Sequence, residues 1–240
     1  MFKKLSLELG GKNPNIIFED ADLEEAISTS IRSSFANQGE ICLCGSRILI
    51  HQSIYEAFKE AFVQKVDALK VGDPKEDSNF MGAIVSEDHY YKILSYIQLA
   101  KEEGGVILSG GNSLKPEGRC ANGFFIRPTV IEGLDQQCRT NTEEIFGPVV
   151  TLQPFSNEEE AIRKANAVQY GLSASIWTQN LQRAHRVADQ LEAGVIWVNT
   201  WLHRDLRTPF GGTKSSGVGR EGGKEALRFF TEAKNICIKY

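Results

Sequence analysis

The chain has 240 residues, enough for one large domain or two small ones with a buried core. Hydrophobic residues make up 41% and charged residues 24%, and the net charge of −4 offers no basic excess for nucleic acid or acidic lipid. No apolar run reaches membrane-spanning length, no apolar stretch follows Lys3 and Lys4 as in a signal peptide, and five cysteines are too few for a disulfide scaffold. We therefore expect a soluble cytoplasmic α/β protein that binds neither nucleic acid nor membrane.

Helical and strand-like segments alternate along the chain. Leu23, Ile27, Ile31 and Phe35 recur at helical spacing and predict a helix over 20–38 that begins with a capping box at Asp22. The other patterns predict helices over 53–70, 86–104, 157–169, 180–194 and 221–233, and strands over 46–50, 105–111, 124–131, 148–155, 173–177, 194–200 and 234–240.

Strands that alternate with helices of this length predict a parallel sheet with crossover connections. Ligand sites in such sheets usually gather at the carboxyl ends of the strands, so we expect the functional site there.

Two motifs are weak signals for cofactor or metal binding. The segment from Gly217 to Gly222 matches G-x-G-x-x-G, but PFGGTKSS precedes it in place of an apolar strand. No acidic residue follows it at the distance that a dinucleotide-binding motif requires. Cys42 and Cys44 lack the further cysteines or histidines that would complete a metal site. We expect neither a phosphate loop nor a bound metal.

Cys42 and Glu8 are the candidates for chemistry. Cys42 follows an Asn-Gln-Gly turn between a predicted helix and a predicted strand, a position in which a thiolate could attack a carbonyl carbon and nearby amides could stabilise the oxyanion. Glu8 precedes two glycines and could act as a base for the thiol or for a water molecule. The residues alone leave open that Cys42 is a small buried side chain and Glu8 a surface carboxylate.

Five ordered segments give a more specific signal: LELGGKNP, FANQGEICLCGSR, EEIFGPV, GVIWVN and PFGGTKSSGVGRE. Together they resemble the aldehyde dehydrogenase superfamily. The resemblance implies that Cys42 is the nucleophile and Glu8 the general base in the NAD-dependent oxidation of an aldehyde through a cysteine thioester. It implies NAD as the cofactor and leaves NADP open.

The same resemblance implies a domain organisation. It predicts that residues 1–11 end a cofactor-binding domain, that residues 12–213 form the catalytic domain, and that residues 214–240 form a return segment and an oligomerisation strand. Most of the Rossmann-type cofactor domain would then be absent from this chain. The resemblance further implies a homo-oligomer, a dimer or tetramer formed through the C-terminal strand.

Three residues match positions at which the family contacts its cofactor. Glu144 and Phe146 match the pair that holds the nicotinamide ribose and packs near the ring, although Phe146 could instead belong to the core. Lys92 matches a lysine that often faces the cofactor. His89 stands where the family usually has glutamine, which puts that contact in doubt.

The segment HRDLRTPFGG predicts the substrate class. Phe210 and Asn199 match residues that lie near the family's substrate pocket. Arg204 and Arg207 stand where relatives that oxidise apolar aldehydes carry aromatic or small residues, and arginine suits bidentate capture of a carboxylate. An arginine could instead form a surface salt bridge, for example to Asp205.

The loop resembles the branch of the family that oxidises muconic semialdehydes from tryptophan (kynurenine) or aromatic catabolism. In that branch the first arginine binds the substrate carboxylate, which corresponds to Arg204. The implied small-molecule substrate is an acidic semialdehyde such as 2-aminomuconic semialdehyde. Two alternatives remain: a non-catalytic pseudoenzyme or interaction protein descended from the family, and cofactor-free hydrolysis of esters or thioesters by Cys42 and Glu8.

Overall fold

The computed structural model describes residues 2–240. Its helices are α1 (Leu23–Phe35), α2 (Tyr55–Asp67), α3 (Glu87–Glu102), α4 (Arg139–Thr142), α5 (Glu158–Asn166), α6 (Leu181–Gln190) and α7 (Gly223–Phe230). Its strands are β1 (Leu7–Glu8), β2 (Pro14–Ile17), β3 (Arg47–His51), β4 (Val106–Ser109), β5 (Ser113–Leu114), β6 (Phe125–Ile126), β7 (Thr129–Glu132), β8 (Val149–Phe155), β9 (Tyr170–Gly171), β10 (Ser173–Trp177), β11 (Val195–Val198), β12 (Thr213–Lys214) and β13 (Gly217–Val218). No helix within residues 2–240 is both long and apolar enough to cross a membrane.

A seven-stranded sheet in the order β11-β10-β2-β3-β8-β7-β4 organises the fold. Every neighbouring pair is parallel except β4 and β7, which run antiparallel. The predicted α/β fold with a parallel sheet is confirmed, and the β4–β7 pair forms its antiparallel edge. Residues 110–128 join β4 to β7 without a crossover helix, and an antiparallel pair needs none.

The central strands are buried on both faces of the sheet. Ile17 packs in one cluster with Phe58 and Phe62 of α2, whereas its neighbour Ile16 packs in another with Leu49 and the small residues of α5. Successive side chains of a strand point to opposite faces, so a strand covered by helices on both sides must be apolar throughout. Burial of a phenylalanine such as Phe58 or Phe62 contributes roughly 1.5–3 kcal/mol.

Helix α1 begins as the sequence predicts and ends earlier. The Asp22 carboxylate accepts a hydrogen bond from the Glu25 amide (3.1 Å), which caps the first turn. Asn37 and Gln38 lie in the left-handed region (φ 49° and 57°), so the helix cannot continue to residue 38. At Gly39 (φ 70°) a Cβ would lie 2.3 Å from a backbone carbonyl oxygen, so only glycine fits this turn. The tight turn delivers the chain to the segment that carries the predicted nucleophile.

Two predicted strands differ in the structure. The strand predicted over 124–131 is divided into β6 and β7 at Pro128, because proline has no N–H to donate to a ladder. The strand predicted over 234–240 does not form, because no strand within residues 2–240 pairs with this segment. Ile236 and Ile238 are exposed there.

The two ends of the chain meet in a short antiparallel ribbon. Leu7 pairs with Val218 and Glu8 with Gly217, and the Leu9 amide donates to the Ser216 carbonyl (2.9 Å). The glycine-rich segment from Gly217 therefore begins beside Glu8 in an antiparallel pair, instead of following a strand of the central sheet.

Candidate functional site

The predicted nucleophile and cofactor residues meet at the amino-terminal edge of the central sheet. Gly11 precedes β2, Cys42 precedes β3 and Glu144 precedes β8, and all three line one cleft. These predicted residues therefore lie at the edge opposite the carboxyl ends of the strands, where the sheet topology alone led us to expect the site. At the carboxyl edge, Asp20 accepts hydrogen bonds from the Thr178 hydroxyl and forms an ion pair with Arg183.

Asn13 holds the segment that carries Cys42. Its Nδ2 donates to the carbonyl of Cys42 (2.8 Å) and to that of Cys44 (2.9 Å), while its Oδ1 accepts from the Ser173 amide (3.0 Å). The side chain is 3% exposed, and its bonds to Cys44 and Ser173 are buried whereas its bond to Cys42 is partly buried. An amide is the one neutral side-chain group with two donors and an acceptor in this arrangement. Sequence analysis missed Asn13, although it lies within the quoted segment LELGGKNP.

Cys42 is the more ionisable of the two neighbouring thiols. Burial raises the pKa of Cys42, Glu8 and Glu144 raise it further, and the Arg204 charge lowers it. Deeper burial raises the pKa of Cys44 to about 12. Within the described part of the chain, the Cys42 amide donates to no other residue, so it is available to a developing oxyanion.

Glu8 lies in the ribbon formed by the chain ends. Burial and the neighbouring Glu221 charge raise its pKa, and Arg204 and Arg220 lower it. The Glu8 charge in turn raises the pKa of Cys42, so the fold brings the two predicted groups within electrostatic range. A carboxylate with a raised pKa is a stronger base toward water than an ordinary surface carboxylate.

Glu144 is held from two sides. Its Oε1 accepts a hydrogen bond from the Gly11 amide (2.9 Å), and burial raises its pKa. A Cβ at Gly10 (φ 87°) would lie 2.3 Å from its Oε2, so the glycine leaves room for the carboxylate. Lys92 donates to the Glu144 carbonyl (3.3 Å), and Phe146 adopts a left-handed conformation (φ 59°). Over residues 2–240, Oε2 has no hydrogen-bond donor and remains free for a ligand.

The two arginines of the predicted substrate loop differ. The Arg204 guanidinium carbon lies 4.1 Å from the centre of the Phe210 ring, a cation–π contact, and it forms no ion pair within the described residues. The exposed Arg207 guanidinium forms an ion pair with Asp205 and donates hydrogen bonds to both of its carboxylate oxygens. Arg204 is therefore free to bind an anion, whereas Arg207 forms the salt bridge that the sequence left open.

The residues of this site belong to a chain that matches the model described as "Aldehyde dehydrogenase family" over residues 1–236. The chain belongs to the aldehyde dehydrogenase family. It is 54% identical over 240 residues to 2-aminomuconic semialdehyde dehydrogenase of Mus musculus, covering 99% of this chain and 49% of that protein. It is 46% identical over 237 residues to 2-hydroxymuconic semialdehyde dehydrogenase of Pseudomonas putida, again covering 99% of this chain and 49% of the relative. The chain thus spans about half the length of the curated relatives it matches.

Solved structures of aldehyde dehydrogenases agree with this fold. HpcC from Thermus thermophilus matches with a TM-score of 0.92 at 40% identity, over 99% of this chain and 48% of that one. Betaine aldehyde dehydrogenase from Staphylococcus aureus, crystallised in complex with NAD+, matches with a TM-score of 0.89 at 39% identity, over 98% and 48%.

Asn199, predicted to lie near the substrate pocket, is at the opposite edge of the sheet from Cys42. It follows β11 at the carboxyl edge of the sheet, and its amide exchanges two hydrogen bonds with the backbone of Thr178 (3.0 and 2.9 Å). These hydrogen bonds extend the pairing of β10 and β11 beyond the strands. The left-handed backbone of Asn199 (φ 53°) starts the loop that returns toward Cys42.

Two buried tryptophans, missed in the sequence, position that returning loop. Trp197 Nε1 donates to the His203 carbonyl (2.9 Å), and Trp201 Nε1 donates to the Leu43 carbonyl (2.9 Å). Trp201 thus connects the loop after β11 directly to the segment that carries Cys42. No group of three or more His, Cys, Asp or Glu residues among the described positions could hold a metal ion.

Proposed function

We propose that this chain carries the catalytic residues of an NAD-dependent dehydrogenase that oxidises an aldehyde bearing a carboxylate, of the muconic semialdehyde type. One observation carries the proposal: the unpaired Arg204 guanidinium lies on Phe210 and acts electrostatically on both Cys42 and Glu8. A cation placed beside a nucleophile and a base can hold the far end of an acidic substrate while its aldehyde reacts. The names of the relatives, muconic semialdehyde dehydrogenases, support the same substrate class.

The roles of the residues follow from their chemistry. Arg204 binds the substrate carboxylate, and the Cys42 thiolate adds to the aldehyde carbon. The Cys42 amide donates to the oxyanion that forms. Once the substrate is held on Cys42 as an acyl thioester, Glu8 takes a proton from water, and the resulting hydroxide attacks the acyl carbon and releases the carboxylate product.

The residues at Glu144 fit a nicotinamide cofactor. One carboxylate oxygen of Glu144 accepts a hydrogen bond from the Gly11 amide, and the other can accept a hydrogen bond from a ribose hydroxyl. Phe146 and Lys92 flank it, in keeping with the positions that the resemblance assigned to the cofactor. When bound, such a cofactor supplies the acceptor for the hydride that leaves the substrate carbon. NADP is an alternative that these residues do not distinguish from NAD.

The domain boundaries and the oligomer are also proposals. The pairing of β1 with β13 supports a division in which residues 1–11 and 214–240 belong together, apart from a catalytic domain over 12–213. The unpaired segment 234–240, with Ile236 and Ile238 exposed, supports an oligomer in which it pairs with a second subunit. Sedimentation of the chain with and without residues 234–240 tests this, and an unchanged mass would refute it.

Aryl esters test the acyl chemistry without a cofactor. Attack by Cys42 on a 4-nitrophenyl ester expels 4-nitrophenolate and leaves a thioester, which water hydrolyses with Glu8 as base. We expect Cys42→Ala to abolish turnover and Glu8→Gln to leave one burst of nitrophenolate per chain with little further release. Equal activity in the Cys42→Ala variant would refute the role of the nucleophile.

Substrate charge tests Arg204. The two probes are the mono-4-nitrophenyl ester of glutaric acid, which carries a carboxylate, and 4-nitrophenyl valerate, which does not. We expect Arg204→Ala to lower kcat/KM for the charged ester about tenfold more than for the neutral ester, since a hydrogen bond to a charged group contributes roughly 1.5–3 kcal/mol. Both esters should also react more slowly, because loss of the Arg204 charge raises the pKa of Cys42. Arg207→Ala is the matched control and should change neither. An equal loss with both esters would remove the carboxylate-binding role.

Calorimetry with NAD tests the cofactor. We expect the chain to bind NAD and Glu144→Gln to weaken binding about fivefold or more, because an amide replaces a charged acceptor. Failure of NAD and NADP to bind the unaltered chain would leave the ester chemistry standing and remove the dehydrogenase activity from this chain.

A further inference from the structure

His89 lies between the nucleophile turn, residues 37–42, and the cofactor segment, residues 144–147. It belongs to the first turn of α3, and its Nε2 lies 2.5 Å from the Phe146 carbonyl oxygen. The same Nε2 lies 3.6 Å from Oε1 of Glu40, two residues before Cys42. The side chains of His89 and Glu40 are only 15% and 7% exposed. One imidazole therefore touches both segments in a site that is largely shielded from water.

The contact with Phe146 defines which ring nitrogen carries a hydrogen. A carbonyl oxygen can only accept, so Nε2 must be protonated and must donate. This bond holds the carbonyl of a residue in the left-handed region, which a bulky side chain rarely adopts (φ 59°). The His89 and Phe146 rings also pack edge to face with their centres 6.0 Å apart. The histidine thus stabilises an unfavourable backbone conformation directly after Glu144.

Glu40 ties the other segment to the same place. Its Oε1 accepts a hydrogen bond from the Val85 amide (3.1 Å), just before α3. Gln38, from the same turn, accepts from the Gly82 amide (3.0 Å). Burial raises the pKa of Glu40 and the His89 charge lowers it, so a charged imidazole favours the carboxylate. The nucleophile turn is therefore attached to α3 and to the segment before it.

We propose that Glu40 and His89 act as a positioning pair that couples the nucleophile turn to the cofactor segment, so that loosening one segment loosens the other. The functional meaning of this coupling rests on the proposed roles of Cys42 and Glu144. Neither residue of the pair touches the reacting atoms. Their function is to fix the spacing between a nucleophile and a cofactor-binding carboxylate that come from distant parts of the chain.

Hydrogen exchange of the 240-residue chain measures the coupling without any substrate or cofactor. His89→Leu removes the donor to Phe146 and the partner of Glu40. We expect amide exchange to rise about tenfold in both 37–42 and 144–147, because a buried carbonyl and a buried carboxylate lose a polar partner together. His89→Gln, which keeps a donor, should restore most of the protection in 144–147. His185→Leu is the matched control on the exposed surface of α6 and should change neither segment.

The reverse substitution tests the coupling itself. Glu40→Gln keeps an acceptor for Val85 but removes the charge that faces His89, and we expect exchange in 144–147 to rise about threefold although that segment is unaltered. The rate of Cys42 alkylation by iodoacetamide should change in His89→Leu and return toward the original value in His89→Gln.

Exchange that rises only in 144–147 with His89→Leu, or only in 37–42 with Glu40→Gln, would overturn the proposal. If His89→Leu fails to fold, Glu40→Gln alone decides the proposal: exchange that rises in 144–147 supports the coupling, and exchange that stays unchanged there overturns it. These measurements do not depend on catalysis, so loss of the proposed dehydrogenase function would leave them interpretable, and their failure would leave that function untouched.

Discussion

Replacement of Asn13 by aspartate tests how the nucleophile segment is held, because the two side chains have nearly the same shape. The amide makes three buried hydrogen bonds, two as donor to the carbonyls of Cys42 and Cys44 and one as acceptor from Ser173. Aspartate still accepts the hydrogen bond from the Ser173 amide. In place of the amide nitrogen, however, it places a second oxygen next to the carbonyl oxygens of Cys42 and Cys44. At about 1 kcal/mol net for each bond, Asn13→Ala should lower the free energy of unfolding by about 3 kcal/mol.

Asn13→Asp should cost at least as much as Asn13→Ala, since it adds a buried charge facing two acceptors. A loss of about 3 kcal/mol is a large fraction of the roughly 5–15 kcal/mol that stabilises a domain. Urea unfolding at pH 7 of the 240-residue chain, followed by tryptophan fluorescence, measures it. Exposed Asn112→Ala is the control and should change stability by less than about 0.5 kcal/mol.

The pH dependence gives a second check of the same reasoning. Burial should raise the pKa of the aspartate in the folded chain above its pKa in the unfolded chain. The destabilisation therefore grows as the pH rises above the unfolded-state pKa of aspartate. Below that pH the destabilisation is smaller, because a protonated carboxyl can donate one hydrogen bond. A loss of less than about 1 kcal/mol for Asn13→Asp at pH 7, or a loss that does not depend on pH, would refute the account of how Cys42 is positioned.

Three further predictions concern the thiols and the nucleophile turn. Because Glu8 raises the pKa of Cys42, Glu8→Gln should shift the pH profile of Cys42 alkylation to lower pH, and an unchanged profile would contradict their proximity. Cys44 should stay unlabelled in the folded chain at pH 9, as mass spectrometry of its peptide would show, because its pKa is about 12 and it is buried. Gly39→Ala should lower the unfolding free energy by about 2 kcal/mol more than Gly118→Ala. Both glycines have positive φ, but only Gly39 has a carbonyl oxygen 2.3 Å from the new Cβ. Equal losses in urea unfolding would mean that the turn can shift.

The sequence predicts the elements whose apolar faces pack on the sheet. Phe58 and Phe62 recur at helical spacing because both point toward the same face, and the structure buries both. The end of α1 is different, because the sequence ANQ carries no strong stop signal. Its position depends on the left-handed turn through Asn37 and Gln38, which is held by contacts with residues distant in sequence. Helix propensity cannot supply that information.

Motifs predict some of the candidate site residues, whereas the contacts of others depend on their neighbours in the structure. Cys42 and Glu8 follow from ordered motifs, and the fold brings them within electrostatic range. Arg204 and Arg207 look equivalent in the sequence. They differ because Asp205 is close enough to pair with one of them, while the loop turns the other onto Phe210. Such a difference arises from loop geometry, which residue type alone does not encode.

The location of the site explains why buried residues of the sheet matter to its geometry. Segments that precede strands depend on the strand register, and Arg47, at the start of β3, fixes that register from within the core. Its guanidinium donates to the carbonyls of Lys12 (3.0 Å), Lys164 (2.8 Å) and Ala165 (2.8 Å), so it joins the start of β2, the start of β3 and the end of α5. Burial lowers its pKa to about 9, which still leaves it charged at pH 7. A single buried cation thus holds the strand starts from which the segments that carry Glu8 and Cys42 extend.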